Sequence, residues 1–112
     1  MRPSENLSVL SLVLIGVLAF PPHADAVKLS PLDCQSYAMW SGNLVWASDL
    51  GAEKEKAREE LVALDQKTPS SIYALMLRQL DALWTTSASW EEVTVMVLRD
   101  CIARRGAYEP AS

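Results

Sequence analysis

Histidine is nearly missing from this chain. The only one is His23, and it lies in a stretch expected to be removed. Without it the remainder has no Ser–His or Cys–His nucleophile pair and no imidazole for a metal. Glycine is scarce too. After residue 26 only Gly42, Gly51 and Gly106 occur, too far apart to build a phosphate-cradling loop. Cysteine is limited to Cys34 and Cys101. Lys and Arg number 10 against 14 Asp and Glu, and the only basic neighbours are Arg104-Arg105. Nothing here attracts a phosphate backbone, so no nucleic-acid partner is expected. No apolar run reaches the roughly 20 residues that span a bilayer.

The longest apolar run, Leu7 to Phe20, has 14 residues. It follows Met1-Arg2, is stopped by Pro21-Pro22, and leads to Ala24-Asp25-Ala26, a small-x-small cleavage pattern. That order predicts a secretory signal peptide over residues 1–26 and one domain over residues 27–112, periplasmic or secreted. Pro31-Leu32-Asp33 ahead of Cys34 is no lipobox, so neither a lipid anchor nor membrane association is expected after cleavage. Losing Arg2, Glu5 and Asp25 would move the net charge from −4 to about −3. A domain this small has a thin core and gains from a covalent staple. In an oxidising compartment Cys34 and Cys101 allow one intramolecular bridge. A reactive thiol and an intermolecular bridge are the rival readings.

Four helices can be read in order. Ser30-Pro31-Leu32-Asp33 is a cap, a proline at the first helical position and a capping-box acid. The first helix should run from Pro31 to about Asp49 and stop at Gly51. At 3.6 residues per turn, Cys34, Ala38, Ser41, Val45 and Ser48 share a small-sided face that lets another helix come close. Ala52 to about Gln66 is a charge-rich surface helix, with Glu55–Arg58 and Lys56–Glu60 spaced to pair and a narrow stripe of Ala57, Leu61 and Leu64. Thr68-Pro69 is expected to start the third helix, which is apolar enough to be central. Ser89 and Glu92 form a capping box for a fourth, Trp90 to about Arg105. Arg104-Arg105 suit its last turn and Gly106 its end. Met76 and Met96 read as core filler. The tail, Ala107 to Ser112, is expected to fray. The fold class is therefore all-α, a small four-helix domain.

Candidate functional residues are few. Asp49 lies in an apolar neighbourhood at a helix end, where its charge opposes the helix dipole. It reads as a structural aspartate that pins the turn into the second helix rather than as a general acid or base. Glu91-Glu92 are explained by dipole and capping. The tryptophans are the more informative surplus. Met39, Trp40 and Trp46 point away from the Cys34 face, and a domain this small rarely buries a helix on all sides. One of the three should then be exposed and mark a partner surface; the rival reading is a central first helix with both tryptophan rings packed inside.

The residues from Cys34 onward also resemble a pattern seen in small exported bacterial proteins of unknown function: C-x3-A-x2-A-x2-I-A-x2-R-D-x-G, with a second cysteine in a later helix. The match runs through Cys34, Ala38, Ser41, Leu44, Val45, Ser48, Asp49 and Gly51, then Trp84, Ser89-Trp90 and Cys101. The chain departs from the pattern at Val45, at Ser48 where the arginine would stand, and at Trp90. The resemblance implies a periplasmic helical domain with a Cys34–Cys101 bridge between its first and last helices, and brings no activity with it. The resulting expectation is a non-enzymatic exported protein without cofactor or metal, acting on another periplasmic protein. The alternatives are an immunity or inhibitor protein that plugs an enzyme's cleft, and a hydrolase using Asp49 or Glu91.

Overall fold

The computed structural model describes residues 27–109. The predicted signal segment, residues 1–26, and residues 110–112 lie outside the described residues. Val27–Tyr108 form one compact unit. Its elements are β1 (Val27–Lys28), α1 (Pro31–Asp49), α2 (Lys54–Lys67), α3 (Ser71–Thr85), α4 (Trp90–Ala103) and β2 (Ala107–Tyr108). The expected four helices are present, and a Cys34–Cys101 disulfide joins the first to the last. α1 packs against both α3 and α4, and α3 carries α2. The order across the bundle is therefore α4–α1–α3–α2, with α1 and α3 inside.

Local rules account for both ends of α1. Ser30 Oγ accepts from the Asp33 N–H at 3.1 Å, and the Asp33 carboxylate accepts from the Ser30 N–H at 3.3 Å, a closed capping box. At the other end Gly51 takes φ 93°, which costs a glycine least. Its N–H donates to the Ser48 carbonyl and that of Ala52 to the Ala47 carbonyl, both at 3.0 Å. This is a Schellman turn, and it satisfies the last carbonyls of the helix.

The small face of α1 does what its side chains allow. Cys34, Ala38, Ser41, Gly42 and Val45 are all buried. A Cβ placed on Gly42 would run into the Thr94 side chain and lie 3.0 Å from the Trp90 carbonyl oxygen. Gly42 thus faces the start of α4 while Cys34 is bonded near its end, so α1 and α4 run antiparallel. The start of α4 carries the predicted capping box, Ser89 with Glu92, at 2.9 and 3.1 Å. The main core lies between α1 and α3, around Leu75 and Leu80, both 0% exposed. Val45, Leu83 and Val93 make a smaller cluster beside it.

Several expectations need correction. α2 begins at Lys54 and not at Ala52, because Ala52 is spent closing the Schellman turn and its carbonyl accepts the Trp84 indole N–H at 3.1 Å. α3 is capped by Ser70 and not by Thr68. The Ser70 hydroxyl accepts from the Ile72 N–H at 3.1 Å, and its own N–H donates to Asp65 at 3.0 Å, tying the turn back to α2. α4 ends at Ala103. Arg105 (φ 53°) takes the left-handed position expected of Gly106, and Gly106 (φ 73°) follows it. A side chain at Gly106 would meet the Leu29 carbonyl, the close approach that calls for glycine there.

The tail is not frayed as far as Tyr108. β2 pairs antiparallel with β1, Val27 opposite Tyr108 and Lys28 opposite Ala107. Leu29 N–H extends the contact, donating to the Gly106 carbonyl at 2.8 Å. Tyr108 packs edge-on against Tyr37 with ring centroids 5.7 Å apart, and the Arg104 guanidinium lies 4.5 Å from its ring centre. The aromatic ring supplies the burial that a two-residue strand lacks. Met76 is core filler as expected, but Met96 is 59% exposed, since its side of α4 faces neither α1 nor α3.

Candidate functional site

The three side chains expected to mark a partner surface separate into two environments. Met39 is 59% and Trp46 53% exposed, and Leu32, seven residues before Met39, is 71% exposed. Seven residues is close to two helical turns, so Leu32, Met39 and Trp46 line one side of α1. Leu50, just past the helix end, extends the stripe and is 68% exposed. Trp40 is different. It is partly buried and stacks on Tyr73 of α3, centroids 5.7 Å apart and planes 14° apart. One helical position separates it from Met39, but that is a turn of 100° about the axis.

Trp40 opens onto a feature the sequence reading missed. α1 and α2 diverge above α3 and leave an open cleft of about 680 Å³. Trp40, Tyr73 and Trp84 contribute its aromatic walls, and Leu44, Leu61 and Met76 its apolar floor. Glu53, Lys56 and Glu60 stand along its α2 side and Asn43 on its α1 side. Lys56 and Glu60, which the sequence spaces as a pair, thus both border the cleft. Leu61 is the one buried residue of α2. Leu64, the third member of its apolar stripe, stays 45% exposed and lines the same cleft.

Charge completes the attachment of α2. The Asp81 carboxylate of α3 meets Lys54 at 2.9 Å and Arg58 at 3.4 Å, and Arg58 also pairs with Glu55 at 3.4 Å. The hydrogen bond from Lys54, followed by its positive charge, holds the Asp81 carboxyl below the usual carboxylate range. The two carboxylates are exposed and the two cations half-buried at the surface, so the pairs orient α2 more than they stabilise it.

The remaining candidates do not converge on a reaction centre. Asp49 is exposed at the end of α1, and Glu91 is exposed in the first turn of α4. Cys34 and Cys101 are bonded to each other, so neither thiol is free to react. Among the described residues no group of three or more His, Cys, Asp or Glu could hold a metal ion. No described helix is long and apolar enough to cross a membrane. The strongest perturbation falls on a buried structural group. Burial, then the neighbouring Tyr108, pushes the Tyr37 hydroxyl up to about 12. Tyr108 is raised as well, by burial and then by Asp100. The Ser41 and Tyr108 hydroxyls are buried with no hydrogen-bond partner among the described residues.

No family model, no curated protein and no solved structure matches the chain. The arrangement of its own residues is therefore the whole basis for a functional reading.

Sequence signals for the stripe were present: two large apolar residues, Met39 and Trp46, on a helix whose inner face was already assigned. The cleft had a weaker signal. Ala57, Leu61 and Leu64 form a stripe too narrow to seal a helix against its neighbour. The aromatic residues that complete it come from α1 and α3, and nothing local says they meet.

Proposed function

We propose that this chain is an exported helical domain that works by binding another protein through the outer side of α1, with no chemistry of its own. The observation that carries this reading is the stripe of Leu32, Met39 and Trp46, each more than half exposed. Large apolar side chains left in water at regular helical spacing are costly unless a partner covers them, and tryptophan is enriched among residues that dominate binding energy. Their repeat along one helix suits a partner that offers an amphipathic helix of its own. The apolar leader over Leu7–Phe20 and the disulfide support export. The exposed, separated positions of Asp49 and Glu91 favour binding over hydrolysis.

The test is a pull-down from the exported fraction with wild type, Trp46→Ala and Met39→Ala. The bait should begin at Val27 by mass. A partner retained by wild type should be weakened roughly tenfold or more by Trp46→Ala, the loss typical of a dominant interface residue. The folded helical signal should not change. A partner set identical for all three baits would remove the case for the stripe.

A further inference from the structure

We propose that the cleft between α1 and α2 binds a small organic cation with a bulky apolar body, such as a quaternary ammonium, a phosphonium or an aromatic amine. This site lies apart from the α1 stripe and does not depend on it. Its volume of about 680 Å³ sits within the range of roughly 300–1,000 Å³ in which small ligands are held.

The lining specifies the chemistry. Trp40 and Tyr73 stack with planes 14° apart, and Trp84 adds a third ring. The Trp84 indole N–H is already given to the Ala52 carbonyl at 3.1 Å. It therefore has no donor left to give a ligand. Aromatic ring faces are negative and attract cations, most of all weakly hydrated ones that lose little on leaving water. The charged side chains at the α2 margin act in the same direction. Glu53 and Glu60 bracket Lys56 on successive turns, two carboxylates to one ammonium. Glu53 is the N-cap residue of α2, but its side chain makes no capping hydrogen bond, so the helix does not use its carboxylate. An anion would meet one favourable charge against two unfavourable ones and the negative ring faces. Leu44, Leu61 and Met76 remain to cover an apolar body.

Two probes of the same shape and opposite charge test this directly. Protein expressed from the full chain is titrated with tetraphenylphosphonium and with tetraphenylborate, read by tryptophan emission and by calorimetry. The phosphonium should saturate one site and bind at least about tenfold tighter than the borate, with charge as the only difference. The exposed pair of changes Glu53→Gln and Glu60→Gln should weaken the phosphonium about threefold to tenfold. The same charge change off the cleft, Glu59→Gln with Glu91→Gln, should leave it unaltered, as should Trp46→Ala. Borate binding as tight as the phosphonium, no saturable site for either, an equal loss in the off-cleft variant, or a loss in Trp46→Ala would each overturn the assignment.

Discussion

α4 and α2 are the two outer helices of the bundle, and they are attached to its inner pair by different means. α4 is bonded to α1 through Cys34–Cys101 and fits the groove that Gly42 leaves beside Thr94. Its far end continues into β2, whose Tyr108 packs on Tyr37 of α1. α2 buries Leu61 alone, with Ala57 partly buried beside it, and is otherwise held by ion pairs to Asp81, by the Asp65 carboxylate on the Ser70 N–H, and through its entry turn by the hydrogen bond from Trp84 to Ala52. One side is closed by small residues and a covalent link. The other leaves an aromatic cleft open. Close packing and an open cleft make opposite demands on a small core, and this chain meets them on opposite sides of α1 and α3.

Breaking the α4 side should have the largest effect. Cys101→Ser frees a loop of 67 residues, for which the chain-entropy estimate is about 4 kcal/mol. Denaturant unfolding should shift by a large part of the domain's stability. A transition unchanged from wild type would mean that the packing, not the bridge, holds α4.

Alkaline pH attacks the same side more gently. The unfolded Tyr37 hydroxyl ionises near 10.0 and the folded one near 12. A raised folded value means that stability is fully present below pH 10 and is lost as pH rises from about 10 towards 12. The loss should approach about 2 kcal/mol at the top of that window, and Tyr37→Phe should flatten it. Equal alkaline sensitivity in the Tyr37→Phe protein would place the cause elsewhere.

The smallest effect belongs to the α2 side. Asp81→Asn removes the partner of Lys54 and Arg58. It should lower the melting temperature slightly, and less so at high salt. Because the Asp81 carboxyl is held below its usual range, this contribution is present at neutral pH and fades in acid as the group protonates. A loss comparable to that of Cys101→Ser would show that α2 is held as firmly as α4.

What the sequence reveals follows the same division. The capping boxes at Ser30–Asp33 and Ser89–Glu92 are contacts over three residues, so local spacing suffices to find them. The disulfide was legible because two cysteines admit one intramolecular pair. Ser70 displaced Thr68 as a cap because the Asp65 carboxylate reaches its N–H, an interaction that begins in the preceding helix. The β1–β2 pair was hidden because it joins Val27 to Tyr108, the two ends of the described domain, through strands too short for any periodicity. The stripe at Met39 and Trp46 could be read from one helix. The cleft could not, since Trp40, Tyr73 and Trp84 meet only once α1 and α3 are packed.

Native-state hydrogen exchange measures the contrast between the outer helices most directly. Amides in α1 and α4 should exchange only by global unfolding, while those of α2 should exchange through a separate, lower-energy opening that leaves the disulfide side intact. Uniform protection across α2 and α4 would contradict this contrast.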